Sequence, residues 1–381
     1  MSHSLCGVGV AQLLPAKVKK NGYRSLLVVT GNSSFHQSGA ATLIKQIEMR
    51  GETQVSVFSD FSPNPKLTDV RKGLRFLAKV RPDAIIGIGG GSSLDMAKLI
   101  SLFSAQAATH SLDHLLTHQQ LLQPRQLPLV VIPTTCGSGS EATHFAVVYK
   151  NLTKYSVALT SLVPDLAVID SQLMMSLSPY QYACGAMDAY SQAVESYWSI
   201  NATVASKRYA TKALKLLTST LTTDFKHPQP QTRQQIAQAA HLAGQAINIT
   251  KTTASHALSY KITTDFGVPH GHAVALTLSE CMRFNYSLSE SDCLHPRGVT
   301  FVRKQLEGLA LLITGTKDVE QAAIKITQQM NGVKLATRLS EVGVTKKDLP
   351  RIVKSVNLER LQNNPRRFSS AQMNTILVKC L

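Results

Sequence analysis

Between Asp83 and Asp95 the chain reads DAIIGIGGGSSLD: an apolar, β-branched run empties into glycines and then into a helical pattern. A strand that is hydrophobic at consecutive positions has both faces covered, which places it inside a parallel sheet. The rest of the first half repeats the theme. SLLVVT (25–30), QVSVFS (54–59) and LPLVVIPTT (127–135) read as further strands, with amphipathic helical segments over about 39–49 and 68–80. Pro63 and Pro65 end the second of these, because proline brings no amide to a ladder. Residues 155–162 and 166–169 read as two more strands around Pro164. Strands alternating with helices in this way predict an α/β domain on a parallel sheet.

From Ser178 onward the texture changes to long helical patterns, over about 179–200, 203–221, 231–249, 252–264 and 271–284, with more towards the C-terminus. The expected division is therefore an α/β domain over 1–176 and an all-α domain over 177–381, two domains being comfortable for 381 residues. With 44% hydrophobic and 17% charged residues the chain is globular in balance. It has no eighteen-residue apolar run, so no membrane span is expected, and its N-terminus lacks the basic region of a signal peptide. Six scattered cysteines without a C-x-x-C pair point to reduced thiols and a cytoplasmic setting. The net charge of +17 suits either nucleic acid or small anionic ligands. The Lys and Arg residues are spread thinly and no nucleic-acid-reading motif is present, so a small anion is the expected partner.

Two loops carry the chemistry of the first half. In Gly89-Gly90-Gly91-Ser92, leading to Asp95, the glycines let a pyrophosphate approach the backbone, and the amides at the helix start point at it. The spacing is not G-x-G-x-x-G, and a turn that merely packs helix on strand would also account for this loop. The second, Pro133–Glu141, also leaves a strand and offers Thr134, Thr135, Ser138 and Ser140. Two such loops at strand ends suit a dinucleotide lying across a parallel sheet.

In the second half Asp188 and Gln192 lie four apart in GAMDAYSQAVESYW and so share a helix face. Downstream come His256 in SHALSY and His270 in VPHGH. One carboxylate, two imidazoles and an amide oxygen make a plausible divalent site for Fe²⁺ or Zn²⁺. Singly, each of these residues is as well explained as an ordinary hydrogen-bonded side chain.

Taken in order, GGGSSLDMAK (89–98), PTTCGSGSEAT (133–143), Lys154 with PDLAVID (164–170), MDAYSQAVESY (187–197) and HALSY…PHGHAVAL (256–276) resemble the iron-containing (group III) alcohol dehydrogenase family. The resemblance covers nearly the whole chain. It implies a Rossmann-like dinucleotide-binding domain followed by an all-α metal-binding domain, the dehydroquinate synthase-like fold, with the site in the cleft between them. It implies a metal on Asp188, His256 and His270, Fe²⁺ first and Zn²⁺ second. The family's remaining ligand, a His four after the Asp, is Gln192 here, and a further family His near the reacting centre is Tyr260. A metal-free member of the family is the alternative that this Gln leaves open.

The resemblance further implies NADH or NADPH on Gly89, Gly90, Gly91, Ser92, Asp95, Thr134, Thr135, Ser138 and Ser140, with Lys154 near the nicotinamide ribose. Where many NAD-preferring members end their first strand in an Asp, this chain has Gly31, then Asn32 and Ser33, which leaves room for NADPH. The run from Ala243 to His256 carries Thr250, Lys251, Thr252, Thr253 and Ser255 where the family is mostly apolar and small. With Gln192 it resembles the phosphonoacetaldehyde reductase branch. An anionic aldehyde on Asn248, Lys251, Thr252 and Arg283 is then expected, with His272, Tyr260 or water as proton donor. The resemblance also implies a homodimer. The alternatives are a reductase of a neutral short-chain aldehyde, a lyase like dehydroquinate synthase, and a non-catalytic basic binding protein.

Overall fold

The computed structural model describes residues 3–49, 53–106, 110–151, 153–221, 225, 228–356 and 358–381. The chain divides into two compact units, Met1–Ser176 and Leu177–Leu381.

The first unit runs β1 (His3–Cys6), α1 (Leu14–Lys20), β2 (Ser25–Thr30), α2 (Asn32–Gln37), α3 (Ala40–Met49), β3 (Gln54–Phe58), α4 (Leu67–Val80), β4 (Ala84–Gly89), α5 (Gly91–Phe103), α6 (Leu112–Thr117), β5 (Leu129–Pro133), β6 (Phe145–Lys150), β7 (Thr153–Ala158) and β8 (Leu166–Ile169). Six strands form one sheet in the order β1-β8-β5-β4-β2-β3, and every pairing is parallel. The central strands are buried at consecutive positions because helices cover both faces. Leu26, Val28, Ile86, Ile88 and Ile132 pack with Leu14, Val18, Leu43, Ile44 and Ile47 of α1 and α3 on one face. Helices α4 and α5 pack on the other.

Two strands depart from expectation. β1 is a four-residue edge strand paired only to β8, and β6 forms an antiparallel ribbon with β7 outside the main sheet. β7 ends at Ala158, and a 3₁₀ turn over Thr160–Leu162 replaces the rest of the expected strand.

The second unit consists of α7 (Pro179–Trp198), α8 (Val204–Thr220), α9 (Pro230–Thr250), α10 (Ala254–Phe266), α11 (His270–Tyr286), α12 (Gly298–Thr314), α13 (Val319–Gly332), α14 (Leu349–Lys354), α15 (Leu358–Leu361) and α16 (Ser370–Cys380). Helix α7 starts on a capping box, Ser178 with Gln181, and Pro179 occupies its first turn. It is the hub of the unit, packed by α8, α9, α11 and α12, with 15 of its 20 residues buried. Any ionised side chain on α7 must therefore find partners inside the protein. Among the described residues no helix is long and apolar enough to cross a membrane.

Candidate functional site

In the first unit β5, β4 and β2 are neighbours, so the small-residue turns at their C-terminal ends meet. A Cβ placed on Gly31, after β2, would lie 3.1 Å from Ser34 Oγ and 3.6 Å from Ser93 Oγ. One on Gly90 would meet Thr135, and one on Gly91 would meet Ser138. Gly89 has φ 140°, a conformation L side chains rarely adopt, and a Cβ there would run into Ser93. These glycines keep the start of α5 bare of side chains, so its free amides stand open between the two loops. The arrangement can hold a pyrophosphate.

The loops are tied together beneath. Lys98, fully buried on α5, donates to Ser140 O, Thr143 O (2.8 Å), Thr143 Oγ1 (3.0 Å) and Phe145 O (3.1 Å). Burial lowers it to about 8, against the pull of Asp95 and Glu141. Asp95 accepts from Ser140 Oγ (2.7 Å) and Val147 N (3.0 Å), and burial raises its carboxyl. The side chains of Asp95 and Ser140, both expected at the cofactor, hydrogen-bond each other and brace the 134–143 loop. Ser92 Oγ accepts from Asn64 N (3.1 Å), Thr134 N donates to Gly89 O, and Lys154 lies on β7.

In the second unit three segments converge. Asp188 and Gln192 sit one turn apart on α7, both buried, and the Gln192 side chain hydrogen-bonds Asp188. His256 lies in the first turn of α10 and His270 begins α11. Helix α11 reaches α7 because residue 271 is glycine: a Cβ there would overlap the Cys184 carbonyl oxygen and come within 2.5 Å of Asp188 Cβ. One ligand atom each from Asp188, His256 and His270 lies within 4.8 Å of the others. The two imidazoles are 5.4 Å apart between centroids, and Tyr260 stacks on His270 at 5.6 Å and 7°.

Asp188 Oδ1 and His256 Nε2 are buried, 3.5 Å apart, and neither makes a hydrogen bond. Buried polar atoms are rarely left so, and a cation between them would satisfy both. The donor set therefore fits a divalent ion. Burial favours the neutral acid, yet His256 and His270 hold Asp188 below the usual carboxylate range. Burial also opposes a charged imidazole, yet Glu195 and Asp188 push His256 up to about 10.

Glu195 was not among the expected residues. It lies seven after Asp188 on the same face of α7, is fully buried, and contacts His256 Nδ1 at 2.5 Å. The signal was present in the spacing, but an acid in a helix more often faces water.

Two other expected residues have their polar atoms engaged elsewhere. His272 is two residues past His270, about 200° round the helix, and its ring is committed elsewhere. Its Nδ1 pairs with Tyr180 Oη (3.1 Å) and its Nε2 with Ala336 O (2.8 Å), and burial lowers its pKa. It presents no nitrogen to the cluster. Arg283 is thirteen residues along α11 from His270, about 20 Å at helical rise. Glu320 and Glu280 neutralise it there.

The hydroxyl-rich run is also largely spoken for. Thr250 Oγ1 lies within hydrogen-bond reach of Ser196 Oγ (3.1 Å), Ala246 O (3.2 Å) and Lys251 O (2.8 Å); Thr253 Oγ1 accepts from Trp198 Nε1 (2.9 Å). Lys251 is exposed and Thr252 buried, while Asn248 is half-buried on α9.

Comparison with known proteins agrees with both halves. The iron-containing alcohol dehydrogenase model matches residues 2–171, and the C-terminal model of the same family matches residues 182–381. A phosphonoacetaldehyde reductase of Streptomyces viridochromogenes is 31% identical over 313 residues, 80% of this chain and 77% of that protein. Long-chain-alcohol dehydrogenase 1 of Geobacillus thermodenitrificans is 32% identical over 73% of this chain and 70% of its own. The crystal structure of a sulfoacetaldehyde reductase from Bifidobacterium kashiwanohense, in complex with NAD⁺, superposes with a TM-score of 0.86 at 28% identity, covering 100% of this chain and 96% of that one. The chain belongs to the iron-containing alcohol dehydrogenase family and is a nicotinamide-linked oxidoreductase of the alcohol dehydrogenase and aldehyde reductase class.

Proposed function

We propose that this enzyme is a metal-dependent reductase of a small anionic aldehyde, of the phosphonoacetaldehyde type, driven by NADH or NADPH. The observation that carries the reading is the convergence of Asp188, His256 and His270, with two buried polar atoms left for a cation. Asp188, Gln192, His256 and His270 would hold the ion. When bound, the ion supplies Lewis acidity to a carbonyl oxygen and the nicotinamide supplies the hydride.

The chain's own residues do the rest. Tyr260, stacked on His270, would pass a proton at its hydroxyl. Lys251 is exposed, so its ammonium would attract an oxyanion, with Asn248 and Thr252 near it in sequence. The phosphonoacetaldehyde reductase and sulfoacetaldehyde reductase among its relatives, named for anionic aldehydes, support the same substrate class. The bare turn at Gly31 supports tolerance of a 2′-phosphate, so NADPH is accepted beside NADH.

The test is steady-state reduction of phosphonoacetaldehyde and of propanal with each cofactor, in the wild type and in Lys251→Ala. The expected kcat/KM favours the phosphonate by on the order of a hundredfold, and Lys251→Ala raises KM for that substrate alone. Equal kcat/KM for the two aldehydes removes the anionic reading in favour of a neutral one. No consumption of NAD(P)H with any aldehyde removes the reductase reading altogether.

A further inference from the structure

We infer that Glu195 is the positioning carboxylate of this centre, and that the linker between α9 and α10 is bent to serve it. The inference rests on the reading that Asp188, His256 and His270 hold a metal.

Glu195 lies at zero exposure, and among the described residues no Lys or Arg is paired with it. Its oxygens accept instead from Thr253 N (3.1 Å), Ser255 N (2.8 Å), His256 N (3.3 Å) and His256 Nδ1 (2.5 Å). The three backbone donors belong to the start of α10, where amides have no partner within the helix. A residue of α7 therefore caps α10, and the same carboxylate holds the ring of the histidine in that first turn.

Delivering those amides needs an unusual backbone. Lys251 has φ 59° and ψ −178°, a region left almost wholly to glycine, and Thr253 follows at φ −124°, ψ −137°. The bend is held from several sides. Ser199 Oγ donates to Thr250 O, Asn363 Nδ2 donates to Thr252 O (3.2 Å), and Trp198 Nε1 donates to Thr253 Oγ1. A non-glycine residue persists in such a conformation only where its surroundings over-determine it.

The consequence is chemical. A carboxylate accepting from Nδ1 fixes the His256 tautomer, so Nε2 carries the lone pair, and Nε2 is the atom beside Asp188 Oδ1. Such a partner also raises the ligand's basicity. Asp188 and Glu195 together bring two negative charges to a set in which Gln192 contributes only a neutral amide.

The test uses the full chain, stripped with a chelator and titrated with Zn²⁺ and with Fe²⁺ in competition with a chromophoric chelator. Glu195→Gln keeps the shape, but its amide would donate to Nδ1 and drive the proton to Nε2. The expected result is a Kd for the ion 10–100-fold weaker than in the wild type. A Kd within twofold of wild type overturns the inference, since a merely structural cap would leave it there. Failure of the wild type itself to bind either ion overturns the metal reading instead, so the two failures are distinct. A second readout needs no turnover. ¹⁵N-histidine NMR of the Zn²⁺-loaded wild type, with His256 assigned through its backbone connectivities, is expected to show the proton on Nδ1. A proton on Nε2 overturns the inference even if Glu195→Gln does not fold.

Discussion

Gly31 stands at the first turn of the sheet domain, in extended backbone at the N-cap of α2 (φ −77°, ψ 140°). Any residue can adopt that conformation, so what glycine contributes is the absence of a side chain. Ser34 Oγ, 3.1 Å from where a Cβ would stand, can turn aside because it is the end of a short rotor. Gly31→Asp is therefore expected to fold. It should move the NADH-to-NADPH ratio of kcat/KM towards NADH by on the order of tenfold, since the new carboxylate accepts from a ribose hydroxyl and repels a 2′-phosphate. An unchanged ratio in side-by-side assays would mean that the turn at Gly31 does not face the ribose. The candidate metal ligands show what a sequence reveals at this scale. Asp188, His256 and His270 stood out through ordered motifs, whereas Glu195 needed knowledge of what lies across from it. Its partners Thr253 to His256 are about sixty residues away, and no local pattern encodes that approach.

Helix α11 shows how much one element decides. It carries His270, Gly271, His272 and Arg283, and the sequence placed all but the glycine in one site. Helical phase separates them: His272 turns to Tyr180 and Ala336, and Arg283 is carried along the axis to Glu280 and Glu320. Residues close in sequence need not be close in function once they share a rigid helix. Gly271 is the unremarked member, since it sets the distance of closest approach between α11 and α7. Gly271→Ala is expected to cost about 1–3 kcal/mol by overpacking against Cys184 and Asp188. It should also weaken metal binding, because His270 is the adjoining residue; thermal unfolding and chelator competition would check both. Unchanged values for both would show that the helices separate freely. Strands were read less fully than helices. β1 has four mostly exposed residues, and β6 alternates buried and half-exposed positions, so neither shows the continuous apolar run that marked β2, β4 and β5. Their partners decide their state, and those partners lie elsewhere in the chain.

For the molecule as a whole the excess of positive charge matters most where cations crowd. His295, on the segment leading into α12, is buried, and both burial and the neighbouring Lys207 and Arg297 lower its pKa. Arg297 and Lys207 also share the Phe301 ring, at 3.7 and 5.3 Å from its centroid. A base with a folded pKa below its unfolded value of 6.5 takes up its proton first in the unfolded chain. Stability then falls as pH drops from about 6.5 through the folded pKa, and is constant below that. His295→Asn keeps an acceptor for Arg297 N and should flatten this part of the curve in denaturant titrations between pH 7 and pH 5. An equally steep fall in the variant would assign the slope to other groups. The fold class was legible at this scale because alternation and long helical runs survive any local misreading. The electrostatics were not, since +17 is a sum that says nothing of where like charges meet.

Helix α5 joins these scales. Its first amides face the space between two loops, while Asp95 and Lys98, one and two turns further on, lock the second of those loops from below. The two loops are thus the ends of one rigid bar. A ligand that touches both does not have to gather them, and little of its binding free energy is lost in ordering the protein. The same rigidity makes the pair a ruler: a phosphate of the wrong span finds no loop willing to move towards it.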